Sequence, residues 1–335
     1  MLLRIFCLIS LLIISPNLAL SEDLRPSSFT AGFSRISVSD EDGTFDTMIW
    51  YPSSGPEKPW RAGPFTVAAT PNASIASSQR FPVVLFSHGS GGTPMVHREL
   101  AASLARTGLV VVAPVHVGDA AGHSRATQQA KVLMDRPRQA SKALAAVLAD
   151  ARFAPNIDVD RLGMVGFSAG GYTSLVLAGG RPNFDLALAY CTGEGRGDVG
   201  SCRPATEKAT EAPASIGNWQ PDTEPRIKAL VLMDPLAIFF DQASLSSVKL
   251  PVMLFRPQDS SFLGAKANAL AVAENLPSPP EQVVAPGGHF VFIDPCPEEL
   301  AAEAPMICKD AAGIDRAAIH AGIERDVSDF LHRHL

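Results

Sequence analysis

Gly166-Phe167-Ser168-Ala169-Gly170 sets one hydroxyl between two glycines. A serine hydroxyl is a weak nucleophile until a neighbouring base takes its proton, and it is of use only where the backbone presents it to a substrate. The flanking residues predict that setting. An apolar run, Arg161-Leu162-Gly163-Met164-Val165-Gly166, reads as a buried strand, and Gly171 to Ala178 reads as a helix. Ser168 then falls on a tight strand-to-helix turn, where small neighbours relieve a cramped backbone. The turn also aims the hydroxyl out at the sheet edge, near the positive end of the following helix.

Of the eight histidines, His289 has the placement a general base needs. It follows the last expected strand, Glu281 to Ala285, across the flexible turn Pro286-Gly287-Gly288, and Phe290-Val291-Phe292 supplies apolar packing behind it. His320, His332 and His334 belong to a terminal helix, His97 and His123 have no motif around them, and His116 precedes the nucleophile. Acyl transfer also needs donors for a developing oxyanion. Ser87-His88-Gly89-Ser90-Gly91-Gly92 follows an apolar strand, and its glycines let the backbone approach a carbonyl closely. The amides of Ser90 and of Ala169 are the expected donors, with His88 supporting the loop by hydrogen bonding. The acid that orients the base should lie between residues 168 and 289 at the end of a strand. Asp234 directly follows Leu230-Val231-Leu232-Met233, where a carboxylate is costly to bury without a partner such as a histidine N–H. Asp259, after Pro251 to Phe255 and beside Ser260 and Ser261, is the alternative. Asp234 is preferred.

These residues require a scaffold. Arg35 to Ser39 and Phe45 to Tyr51 flank Asp42-Gly43 and predict a β-hairpin, and Phe65 to Ala69 predicts an edge strand. Phe81 to Phe86, Leu109 to Pro114, Arg161 to Gly166, Ile227 to Met233 and Pro251 to Phe255 are short and continuously apolar, as in a parallel sheet covered on both faces. Helical patterns run from His97 to Thr107, from Arg138 to Arg152 and from about Asp315 to His334. Alternating strands and helices without an internal repeat give an α/β class: a mostly parallel sheet with an N-terminal antiparallel hairpin and helices on both faces. Residues 22–335 are expected to form a single catalytic domain, with an insertion at about 181–225 lying over the carboxyl edge of the sheet as a lid or pocket wall.

Met1 to Arg4 and the apolar Ile5 to Ile14, broken by Ser15-Pro16-Asn17, predict a signal peptide over residues 1–21, cleaved before Glu22. Four further cysteines permit three pairings. The local one, Cys191 with Cys202 and Cys296 with Cys308, closes two short loops and suits an oxidising compartment. The expected location is secreted or periplasmic. A formal net charge of −6 without a basic run argues against a nucleic-acid partner. No stable membrane insertion is expected. No phosphate-cradling loop or metal-ligand spacing points to a cofactor or a metal.

With these residues placed, the chain resembles the platelet-activating-factor acetylhydrolase-like and "predicted dienelactone hydrolase" branch of α/β-hydrolases. Phe86 to Gly92, Gly166 to Gly170, Met233-Asp234-Pro235 and Gly288-His289-Phe290 with Cys296 nearby carry the resemblance, from about residue 33 onward. It implies an acid after the strand ending at Met233, in favour of Asp234. It also implies a small-molecule or lipid ester as substrate: short to medium acyl chains, acetyl-phospholipid-like or polyester, with lipid degradation as one role. Dienelactone hydrolases proper use a cysteine where this chain has Ser168. An amidase or peptidase with the same triad, and a non-catalytic binding module on the same fold, are the competing readings. The module would be expected to lack a triad member.

Overall fold

A computed structural model of the protein describes residues 29–41, 43–122, 129–202 and 219–335. The expected signal peptide, Asp42, His123 and part of the expected insertion lie outside the described residues.

Among the described residues, eleven strands are seen: β1 (Thr30–Asp40), β2 (Gly43–Ser53), β3 (Trp60–Ala62), β4 (Phe65–Val67), β5 (Thr70–Pro71), β6 (Phe81–Ser87), β7 (Val110–Pro114), β8 (Ile157–Phe167), β9 (Ile227–Met233), β10 (Val252–Pro257) and β11 (Glu281–Ala285). Nine form one sheet in the order β11-β10-β9-β8-β6-β7-β2-β1-β5. Every pairing from β11 across to β7 is parallel, while β2 joins β7 and β1 antiparallel. The parallel strands alternate between two faces, so their apolar runs feed two cores. Val83, Leu85, Met164, Leu230 and Leu232 pack with α2 (Gln129–Ala149) and α3 (Ala169–Leu177) on one side. Val84, Phe86, Val165, Val231 and Met233 pack with α1 (Arg98–Arg106) and the C-terminal helix Arg316–His334 on the other. Each fully buried aliphatic side chain contributes about 1.5–3 kcal/mol, which is why the buried spans 83–86 and 230–233 carry no polar residue, while charged residues of the parallel strands are confined to the strand ends and to the exposed edge strand β11. Among the described residues, no helix is long and apolar enough to cross a membrane.

Two expectations need correction. Phe65 to Ala69 does not edge the main sheet. Phe65–Val67 turns back at Gly63-Pro64, with Gly63 at φ +58°, and pairs antiparallel with Trp60–Ala62 as a separate hairpin. Trp60 anchors it on Phe33, and the edge is instead Thr70–Pro71, parallel to β1. The helix expected over Arg138 to Arg152 starts nine residues earlier and ends at Ala149, running through Pro137. Proline removes one backbone bond there, but the flanking side chains are tied down: Arg136 is buried, and Arg138 pairs with Asp40.

The described part of the segment expected as an insertion holds α4 (Phe184–Thr192), capped by Asn183, and a 3-10 turn at Glu194–Gly197. Disulfides join Cys191 to Cys202 and Cys296 to Cys308, which fits an extracellular protein.

Candidate active site

The chain leaves β6 toward β7 on one side and returns to β8 on the other, so the strand order reverses between β6 and β8. Open α/β sheets bind their ligands at the carboxyl ends of strands beside such a reversal. The two loops that emerge there are Ser87 to Gly92 and the turn at Ser168.

Ser168 has φ 55° and ψ −117°, a left-handed backbone that costs a non-glycine residue about 1–3 kcal/mol. Its amide donates to the Met233 carbonyl at 3.0 Å, and its carbonyl accepts from Gly171 and Leu236, both at 2.9 Å. The turn is thereby fixed to β9 and to the loop after it. A Cβ on Gly170 would lie 1.8 Å from the Ser87 carbonyl oxygen, so only glycine lets α3 approach β6 this closely.

Asp234, with φ 40°, ends β9 fully buried. One carboxylate oxygen accepts a 2.6 Å hydrogen bond from His289 Nδ1. The other has no hydrogen-bond partner among the described residues. Burial raises the Asp234 pKa, against the opposing pull of His289, and the nearby Asp198 raises it further. The Nδ1–H donation leaves Nε2 of His289 as the nitrogen with a free lone pair. The imidazole lies between the Phe167 ring, 4.7 Å away, and the Phe262 ring, 4.6 Å away, with Phe290 against its edge. No hydrogen bond joins His289 to Ser168 directly among the described residues; such bonds commonly tighten only when substrate is present. Asp259 is exposed and does not reach the imidazole. Its carboxylate accepts from the Ser261 amide at 2.9 Å, and its own amide donates to the Gly287 carbonyl at 2.9 Å, steadying the turn that precedes His289.

Gly89 packs against the elbow so closely that a Cβ there would stand 3.2 Å from Ser168 Cβ. The next residue, Ser90, is exposed, and neither its amide nor that of Ala169 is engaged among the described residues. His88 donates from Nδ1 to the Gly89 carbonyl at 2.7 Å and accepts at Nε2 from the His116 amide at 3.1 Å. Burial, and then the charge of Arg136, hold its pKa well below the usual histidine value, so it braces the loop as a neutral ring.

Several contributors carry no sequence motif. Phe262 sits in a polar loop, and only its lone aromatic character marks it. Its carbonyl accepts from the Gly200 amide at 2.9 Å, inside the loop closed by Cys191–Cys202. Asp198 in that loop accepts from the Tyr190 hydroxyl and the Gly264 amide, and Asn268 donates to Ser201 Oγ. The loop closed by Cys191–Cys202 thus clamps the segment that stacks on His289. Arg136 and His116 are buried beside the same loops, and nothing local in the sequence distinguishes a buried arginine or histidine from an exposed one. A cleft of about 970 Å³ between α3, α4 and Trp219 touches none of these side chains. Among the described residues, no three His, Cys, Asp or Glu side chains cluster as metal ligands.

Residues 66–216 match the model of the dienelactone hydrolase family. No curated protein sequence matches the chain. Among solved structures, a ferulic acid esterase from Streptomyces cinnamoneus is similar at 16% identity with a TM-score of 0.64, covering 92% of this chain and 91% of that one. A dienelactone hydrolase from Anabaena variabilis aligns at 15% identity with a TM-score of 0.48, covering 91% of this chain and 99% of its own. With a mostly parallel sheet, a hairpin at its N-terminal side and a serine on the tight turn at the strand reversal, the chain has the α/β-hydrolase fold, and the part of it from residue 66 to 216 is similar to the dienelactone hydrolase family.

Proposed function

We propose that the protein is a secreted or periplasmic serine esterase that cleaves carboxylic esters of short to medium acyl chains through Ser168, His289 and Asp234. The observation that carries this reading is the buried 2.6 Å Asp234–His289 pair on the same sheet edge as a strained, strand-end serine. In the reaction, His289 Nε2 takes the Ser168 proton as Oγ attacks the ester carbonyl, and Asp234 stabilises the imidazolium that forms. The amides of Ser90 and Ala169 receive the oxyanion. Collapse of the tetrahedral intermediate expels the alcohol, which takes its proton from His289, and leaves an acyl-enzyme on Ser168. Water then repeats the sequence, with His289 again as base, and frees the acid. The domain is read as residues 22–335 behind a cleaved leader of residues 1–21, with the insertion at about 181–225 as a pocket wall. The ferulic acid esterase supports the ester chemistry as a structural analogue.

The test is labelling by a fluorophosphonate together with turnover of 4-nitrophenyl esters of increasing chain length and their matched anilides. Wild-type protein should label and should prefer esters. Ser168→Ala should lose both properties and keep its fold. Full labelling of Ser168→Ala would remove Ser168 as nucleophile, and faster anilide than ester turnover would replace esterase by amidase.

A further inference from the structure

Under the elbow lies an arginine that the packing of the sheet does not call for. Arg136, on α2, is 1% exposed. Its Nε donates to Thr173 Oγ1 at 3.0 Å, Nη1 to Asp119 Oδ2 at 2.6 Å, and Nη2 to Ser87 Oγ at 3.2 Å and to the His88 carbonyl. Each of these partners leads on to one side of the proposed oxyanion hole. Thr173 Oγ1 donates to the Ala169 carbonyl at 3.0 Å, which fixes the first turn of α3, the turn that begins with the Ala169 amide. Asp119 accepts the Ser90 hydroxyl at 2.5 Å on its other oxygen and the Gly91 amide at 2.8 Å on its carbonyl. His88 carries the Gly89 carbonyl on Nδ1, and His116 Nε2 meets Ser87 Oγ at 2.8 Å. One guanidinium therefore holds the loop that follows β6 and the helix that follows β8 in a single frame.

Stability alone is a poor reason for this arrangement. An ion pair taken out of water returns little net free energy, and apolar side chains of similar volume often serve as well or better. A rigid planar fork of five donors does something an apolar cluster cannot, which is to set two backbone segments at a fixed distance and angle. Preorganised donors matter most where charge develops in the transition state.

We propose that Arg136, acting through Asp119 and Thr173, is the positioning residue of the oxyanion hole, setting the Ser90 and Ala169 amides against the developing alkoxide. The proposal rests on the reading of Ser168 as nucleophile. Neither Arg136 nor Asp119 touches the reacting atoms, so their loss should appear as misplaced donors rather than as a missing base or a missing pocket.

The experiment compares an oxygen ester with its thionoester, in which C=S replaces C=O, on wild type, Arg136→Lys and Asp119→Asn, with thermal melts alongside. Sulfur accepts hydrogen bonds weakly, so the thionoester already forgoes most of what the hole provides. Both variants should lose about 10²-fold in kcat/KM on the oxygen ester and about threefold or less on the thionoester, the scale of one displaced oxyanion donor. KM should change little. Parallel losses on both esters in a folded variant would overturn the proposal, as would no loss on either. Should Arg136→Lys fail to fold, Asp119→Asn decides alone, because that side chain reaches the surface. A wild type that neither turns over esters nor labels at Ser168 would instead remove the underlying reading, an outcome distinct from both.

Discussion

Exchanging the carboxylate of Asp234 for an amide tests the site at its most demanding contact. Asp234→Asn keeps volume and shape, removes one charge, and presents either an amide oxygen or an NH₂ to His289 Nδ1. In the NH₂ orientation Nδ1 must accept, the ring proton moves to Nε2, and the nitrogen that should take the Ser168 proton is blocked. In the other orientation the tautomer survives but the imidazolium loses its counter-charge. With the contact atoms 2.6 Å apart, the two charge centres lie about 4 Å apart, worth about 4 kcal/mol at an effective dielectric of about 20. At 1.36 kcal/mol per decade that is about three decades in rate, and the tautomer fault adds to it, so kcat should fall by about 10³- to 10⁴-fold. Stability should move the other way or not at all. Burial raises the Asp234 pKa, so the ionised carboxylate is less favourable in the folded protein than in the unfolded chain, and a neutral amide relieves that cost. The assay is steady-state hydrolysis of a 4-nitrophenyl ester with a thermal melt on the same sample. Asp259→Asn is the control, expected to change activity by about twofold at most, as at other exposed positions. A folded Asp234→Asn within tenfold of wild type, or an Asp259→Asn that falls as far as Asp234→Asn, would refute the reasoning.

Acid should weaken the fold through its buried neutral histidines. His97 is pulled down to about 4, first by burial and then by balance among Asp294, which raises it, and His320, which lowers it. The unfolded chain therefore takes up this proton near pH 6.5 and the folded protein only near 4, so the contribution is whole above about pH 6.5 and lost as pH falls. Relative to His97→Gln, wild type should lose about 3 kcal/mol between pH 7.5 and pH 4. Denaturant titrations at the two pH values read this, and a pH-independent difference between the proteins would contradict it. The two disulfides should separate by function. Each closes a loop of similar length, 11 and 12 residues in sequence separation, so removing either with a Cys→Ser pair should cost about 3 kcal/mol. Only loss of Cys191–Cys202 should also lower kcat, because Gly200 in that loop holds Phe262 against His289. Equal kcat in both double variants would count against that coupling.

The scaffold is legible in the sequence where one-dimensional pattern and three-dimensional environment coincide. Val83 to Phe86 and Leu230 to Met233 are apolar at every position because both faces of the sheet are covered, and a continuous run shows this without any partner being known. Phe65 to Val67 alternates like an edge strand, but alternation does not say which strand it will pair with. Gly63 and Trp60 decide that. Pro137 obscures the first two turns of α2, since local chemistry argues for a break that the buried Arg136 and the paired Arg138 overrule. The candidate site divides in the same way. Ser168, His289 and Asp234 stand out because each sits at a strand end with a turn or a polarity mismatch beside it. Arg136 and Phe262 act through neighbours far away in the chain, and neither residue type nor spacing announces such a role.

The crowding at the elbow limits what the chain can become. Added carbon at Gly170 would meet the Ser87 carbonyl, at Gly166 the Gly170 carbonyl 2.2 Å away, and at Gly171 the Cβ of Pro235 2.5 Å away. Three segments, those after β6, β8 and β9, thus share one contact point, and they are the segments that carry the proposed oxyanion loop, nucleophile and acid. Widening any one of these contacts shifts the other two. Sequence drift or a directed-evolution library cannot therefore tune nucleophile placement separately from acid placement through these glycines. Changes in specificity have to come from outside the knot, through residues such as Phe262, Phe290 and the loop closed by Cys191–Cys202, where side chains can vary while the three strand ends stay in register.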